Sequence, residues 1–176
     1  MKLASITTCN LASLLLVTLA GWATPIPVGT GTNHAEVVIN FSDGGYYEFE
    51  VSFDDPGSTG IDLLDRIETE TSLTTLRTDF GGSLGIAIDE IRFMGHADTT
   101  DFDTSFEYWN YWTRDTPMDP WGPSVAGASS RIVPDGGSDG WVFSLFEAQP
   151  PMVPEPSAMG LMALGWLGLM AYRRWR

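Results

Sequence analysis

From Val37 to Phe53 the chain alternates. Val37, Ile39 and Phe41 are apolar at every second position, and after Ser42-Asp43-Gly44-Gly45 the pattern resumes in Tyr47, Phe49, Val51 and Phe53, with Glu48, Glu50 and Ser52 between them. A period of two puts the apolar set on one side of a pleated strand, and a glycine-containing tetrapeptide between two such runs marks a β-hairpin. One face of that hairpin must be buried, so the chain has to supply further elements to cover it.

The next segment offers a cover. Asp54-Asp55-Pro56-Gly57 breaks the strand, Thr59 stands three residues before Asp62 as in a capping box, and Ile61, Leu64 and Ile67 follow at helical spacing. A short helix is expected from Gly60 to Glu70. Beyond Gly81-Gly82 a strand is expected over Leu84 to Ile88, its phase reset at Asp89-Glu90 by a bulge or a tight turn before Ile91 and Phe93. Residues 95–103 are polar and read as a loop. Phe106 to Trp112 reads as a strand with aromatics on both faces, and Val125 to Val133 and Trp141 to Phe146 as the last strands. Hairpin, helix and further strands together predict an α+β fold, a small, mostly antiparallel sheet with one short helix on it. Residues 24–34, rich in Pro, Gly and Thr, are expected to be a flexible lead-in, and 35–148 the folded domain.

Both chain ends read as addresses. Lys2 and a polar stretch precede the apolar run Leu11 to Ala20, about ten residues, which suits a signal peptide and falls short of the roughly 20 that span a bilayer. Gly21-Trp22-Ala23 offers small residues at the two positions a signal peptidase reads, so residues 1–23 are expected to be removed after Ala23. Leu19-Ala20-Gly21 is followed by Trp22 where a lipoprotein would need cysteine. At the other end, residues 149–157 are proline-rich, with Pro154-Glu155-Pro156 at their centre. Residues 158–172 are apolar, and 173–176 carry Arg173, Arg174 and Arg176. Prolines keep the approach extended. Fifteen apolar residues reach about 22 Å as a helix, a thin transmembrane span. The terminal arginines act as a stop-transfer signal on the cytoplasmic side.

These three parts in order resemble the PEP-CTERM sorting signal of Gram-negative bacteria. The resemblance implies recognition at Pro154, Glu155 and Pro156 by exosortase, a membrane protease-transpeptidase, in an envelope that makes exopolysaccharide. It also implies transient anchoring in the inner membrane with the passenger in the periplasm, followed by transfer to the cell envelope or the exterior. The passenger loosely resembles the transcobalamin-like C-terminal domain, a β-grasp-like family. That resemblance rests on Ile61 to Leu64, Tyr108 to Trp112, Gly127-Ala128-Ser129, and Asp135-Gly136 leading to Trp141. It implies a β-grasp-like sheet and makes a small ligand conceivable.

The chemistry available to the passenger is narrow. Residues 24–150 hold 22 Asp and Glu against five arginines and no lysine, a net of seventeen negative charges that repels phosphate backbones and argues against nucleic acid as a partner. The single cysteine, Cys9, lies in the signal peptide, so a mature chain has neither an internal disulfide nor a thiolate metal site. His34 and His96 are the two histidines, and neither belongs to a metal-spaced pair or to a nucleophile motif. Asp98, Asp101 and Asp103 crowd one loop and are the calcium candidates, although their order departs from the EF-hand. No cofactor is expected. Trp109, Tyr111 and Trp112, together with Tyr108, Trp121 and Trp141, are candidates for a flat platform against which sugar rings stack, and exopolysaccharide is the matching partner. The leading expectation is a non-enzymatic exported protein. A small-ligand or polysaccharide-binding module is the alternative, and an enzyme the third reading.

Overall fold

The computed structural model describes residues 24–81, 85–145 and 149–151. The expected signal peptide with its cut at Ala23, the motif Pro154-Glu155-Pro156, the apolar stretch 158–172 and Arg173, Arg174 and Arg176 lie outside the described residues. So do Leu84 and Phe146. Residues 23–153 form one compact unit. Among the described residues no helix is long and apolar enough to cross a membrane.

The elements are β1 (Ile26–Gly29), β2 (Asn33–Asn40), β3 (Tyr46–Phe53), α1 (Gly60–Glu70), β4 (Thr74–Asp79), β5 (Ile86–Phe93), β6 (His96–Thr99), β7 (Tyr108–Arg114), β8 (Gly122–Pro123) and β9 (Ser138–Ser144). Six strands form a mixed sheet in the order β1-β3-β2-β9-β7-β8, with the β1–β3 and β2–β9 pairs parallel. β4, β5 and β6 form a separate antiparallel sheet.

The described fold is therefore mostly β, two sheets with one helix, and corrects the expected α+β, β-grasp-like single sheet. The difference comes from β4 and β6. Their sequences, Thr-Thr-Leu-Arg-Thr-Asp and His-Ala-Asp-Thr, lack apolar alternation because they flank β5 at the edges of a sheet with much of their surface in water. β6 occupies part of the expected polar loop. In the same way β1 lies within the expected lead-in. It buries Val28 and pairs with β3, and as an edge strand it tolerates Pro27, which has no N–H to give.

The hairpin and the helix stand where the sequence places them. Phe41 N–H donates to Gly45 C=O at 2.8 Å to close the β2–β3 turn. Thr59 caps α1 in a reciprocal box: its own N–H donates to the Asp62 carboxylate at 2.7 Å, and Asp62 N–H donates to the Thr59 hydroxyl at 3.3 Å. Ile61, Leu63, Leu64 and Ile67 turn inward against the same core as Val37, Ile39, Phe49 and Val51. Thr59→Ala removes one half of the box and should lower stability by about 1 kcal/mol, measured by urea denaturation. An unchanged midpoint would show that the neighbouring loop alone holds the helix start.

That loop is residues 125–133, expected as a strand. It instead turns at Gly127, whose C=O accepts from Ser130 and Arg131 N–H. The carbonyls of Ala128 and Arg131 accept from Ile61 and Gly60, two of the helix's first N–H groups. Chain that satisfies a helix terminus in this way cannot give those carbonyls to a ladder. The bulge expected at Asp89-Glu90 is present: Leu76 pairs with Glu90 and Arg77 with Ile88, leaving Asp89 as the extra residue.

Candidate functional site

β7 and β9 lie side by side in the large sheet, and their register assembles the site. Trp109 faces Phe143, and Tyr111 faces Trp141. Trp141 in turn pairs with Ile39 of β2, so all four aromatics lie on the side that carries the core. Tyr111 and Trp141 stack at 4.5 Å between centroids, and Trp109 meets Phe143 at 5.3 Å and Phe41 at 5.4 Å. Trp109 is buried, and its indole N–H donates to Asp98 C=O at 3.1 Å.

Trp112 goes to the opposite face. It pairs with Gly140, which pairs with Val38, and the period of two separates this row from Trp109 and Tyr111. The structure thus brings Trp109 and Tyr111 together and leaves Trp112 out. On Trp112's side, Gly140 has no side chain because Pro151 and the Trp121 ring lie directly over it. Arg114 crosses the Trp121 ring at 4.6 Å and pairs with Glu36 at 2.5 Å.

Trp109, Tyr111 and Trp141 line a groove of about 430 Å³, bordered by Phe80, Ile86 and Ile88, by Phe102, and by Ser124 to Ala128. Asp89, Thr100 and Ser124 are polar groups in its wall. Sequence reasoning missed Phe80 and Phe102 as parts of this site, because they come from separate stretches joined to it only by the meeting of the two sheets.

Beneath the groove sits a charged brace. Asp139 on β9 is completely buried. It accepts from the Tyr111 hydroxyl at 2.6 Å and from Arg131 Nε at 2.9 Å. Arg131 also donates to Asp115 at 3.0 Å and to Arg114 C=O at 3.2 Å. Burial pushes the Asp139 carboxyl above the usual range despite the lowering effect of both donors. Burial, with the Asp139 charge, likewise raises the Tyr111 hydroxyl far beyond titration in ordinary buffers. Gly60, at the helix start, must lack a side chain, since a Cβ there would overlap the Tyr111 hydroxyl and the Asp139 carboxylate. The brace fixes the tilt of the Tyr111 ring in the groove. Its hydroxyl is committed as a donor to Asp139.

The calcium candidates are spread rather than gathered. Asp98 accepts from the Ser42 N–H and hydroxyl, both at 2.7 Å. Asp101 is engaged by the Thr104 hydroxyl and by the N–H groups of Thr104 and Asp103, which hold its carboxyl below the usual value. Asp103 is exposed in the same turn. Among the described residues no three His, Cys, Asp or Glu side chains are placed to hold a metal. His34 Nδ1 lies 3.1 Å from the hydroxyl of Ser52, its cross-strand neighbour, and His96 Nδ1 lies 2.6 Å from the Asp43 carboxylate between the rings of Phe41 and Tyr47.

Comparison with known proteins locates one family feature. A solved structure of a candidate metal-binding protein from Ruminococcus gnavus is similar at 18% identity, with a TM-score of 0.45 over 65% of this chain and 98% of that one. No curated protein matches the sequence. These comparisons lend no support to the loose likeness to transcobalamin-like domains. Residues 153–176 match the PEP-CTERM protein-sorting motif, which implies export, a membrane-associated carboxyl end and processing by exosortase.

Proposed function

We propose that this chain is an exported cell-envelope or extracellular-matrix protein whose folded domain performs no catalysis and whose tail is cut by exosortase at or near Pro154-Glu155-Pro156. The motif over 153–176 is the observation that carries this reading. On it, the domain is held at the inner membrane on the periplasmic side until the tail is processed, and then passes to the envelope or the exterior.

Support for a non-catalytic domain comes from how its reactive groups are occupied. Asp139, Tyr111 and Arg131 satisfy one another, His96 is paired with Asp43, and His34 meets only a cross-strand serine hydroxyl among the described groups. Neither histidine belongs to a nucleophile motif or a metal-spaced pair, and among the described residues no three His, Cys, Asp or Glu side chains gather to hold a metal.

Intact-mass measurement of the protein from its own host tests the tail assignment. The expected mass lacks residues 1–23 and the segment beyond the Pro-Glu-Pro motif. The triple substitution Pro154→Ala, Glu155→Ala, Pro156→Ala should make the tail-bearing form the predominant species in the membrane fraction. Release of the substituted protein with the same cleaved end would refute recognition at these residues.

A further inference from the structure

We infer that the groove between the two sheets binds a neutral, hydroxyl-bearing ring, such as one sugar unit of an uncharged glycan. This goes beyond tail processing and does not depend on it.

Size and surface argue for a ligand. About 430 Å³ falls within the range of small-molecule sites. Phe80 and Phe102 on the groove wall are each more than 60% exposed, and Val125 is fully exposed. Three large apolar groups at one opening form the sort of patch that soluble proteins cover when it has a use. At the opening, Phe102 leans against Tyr108 at 5.8 Å between ring centroids and stays largely exposed, and a sugar ring offers a C–H face that packs against such a surface.

Polarity and charge narrow the class. Asp89 accepts from Thr78, and the Thr100 and Ser124 hydroxyls donate to Ile88 and Ala126 C=O, which leaves acceptor oxygens that can take hydrogen bonds from ligand hydroxyls. Among the described residues no Lys, Arg or His lines the groove, Asp89 does, and the domain bears seventeen net negative charges. Phosphate, carboxylated sugars and a second copy of this acidic chain would all be repelled, and an uncharged ring would not.

The test uses the full chain in a detergent without a sugar headgroup. Cellotetraose, maltotetraose, xylotetraose and tetragalacturonate are titrated by calorimetry and tryptophan fluorescence. At least one neutral sugar should bind at up to millimolar concentration, with no heat from tetragalacturonate. The double variant Phe80→Ser, Phe102→Ser, both positions exposed, should keep its melting temperature and lose roughly tenfold in affinity. Binding unaffected by the double variant overturns the proposal, as does preference for the charged sugar or absence of binding by all three neutral sugars. Concentration-dependent dimerisation abolished by the same variant would also overturn it, by giving the groove to a second copy. None of these outcomes bears on the tail, which is read separately by mass.

Discussion

Asp139→Ala should lower the stability of the folded unit by about 3–5 kcal/mol, the cost of breaking a buried charged pair from one side. The carboxylate is completely buried and serves two donors, Arg131 Nε and the Tyr111 hydroxyl. Without it, Arg131, whose side chain is only 13% exposed, keeps the outlying Asp115 and one carbonyl, and Tyr111 keeps no described acceptor. Intact, the pair contributes little net energy, because burial penalises each charge before the partners compensate; the loss on truncation is the penalty left behind. Asp139→Asn retains an oxygen acceptor and should cost clearly less. Its pH behaviour has a definite sign. A carboxyl whose folded pKa lies above its unfolded value binds its proton more tightly in the folded state. Its contribution is full below the unfolded value and is lost as pH rises through the folded one. Urea denaturation across the acidic range should show that decline in the wild type and a smaller one in Asp139→Asn. Equal slopes, or an alanine variant as stable as the wild type, would remove the brace from the account.

The parts of this fold that the sequence makes legible are those whose burial is local and periodic. The hairpin announces itself because Val37, Ile39, Phe49 and Val51 all turn to one core, and α1 because Thr59 and Asp62 cap each other within a single turn. β4 stayed hidden for a physical reason. Its Leu76 is largely exposed, and its neighbour Arg77 is held by Asp65 and Glu68 of α1, so ion pairs stand where an apolar stripe would have signalled a strand. Residues 125–133 misled in the opposite sense: Val125 and Ile132 look like strand residues but are exposed, while the backbone between them caps the helix. Within the site, the period of two along β7 suffices to put Trp109 and Tyr111 on one face and Trp112 on the other. The brace could not be read, because Tyr111, Arg131 and Asp139 meet only after β9 inserts between β2 and β7.

Phe93→Ala should cost a further about 3–5 kcal/mol, and the shape of its unfolding curve carries as much information as its midpoint. Phe93 belongs to β5 of the three-stranded sheet, yet its ring lies edge-on to Tyr47 at 4.8 Å and against Phe49 at 5.3 Å, both on β3 of the six-stranded sheet. It is 2% exposed and Phe49 is fully buried, so truncation opens a cavity where the two sheets meet, and close packing leaves little room for collapse. The aromatic pairs add to the loss beyond their buried area. If the sheets share one core, far-ultraviolet circular dichroism and tryptophan fluorescence should report a single coincident transition at lower denaturant, because the tryptophans Trp109 and Trp141 sit on the six-stranded sheet while Phe93 sits on the other. Separated transitions, with fluorescence unmoved, would mean that β4, β5 and β6 fold as an appendage. The groove, which takes Ile86 and Ile88 from one sheet and Tyr111 and Trp141 from the other, would then have walls free to part, and a rigid ligand site could not be built from them.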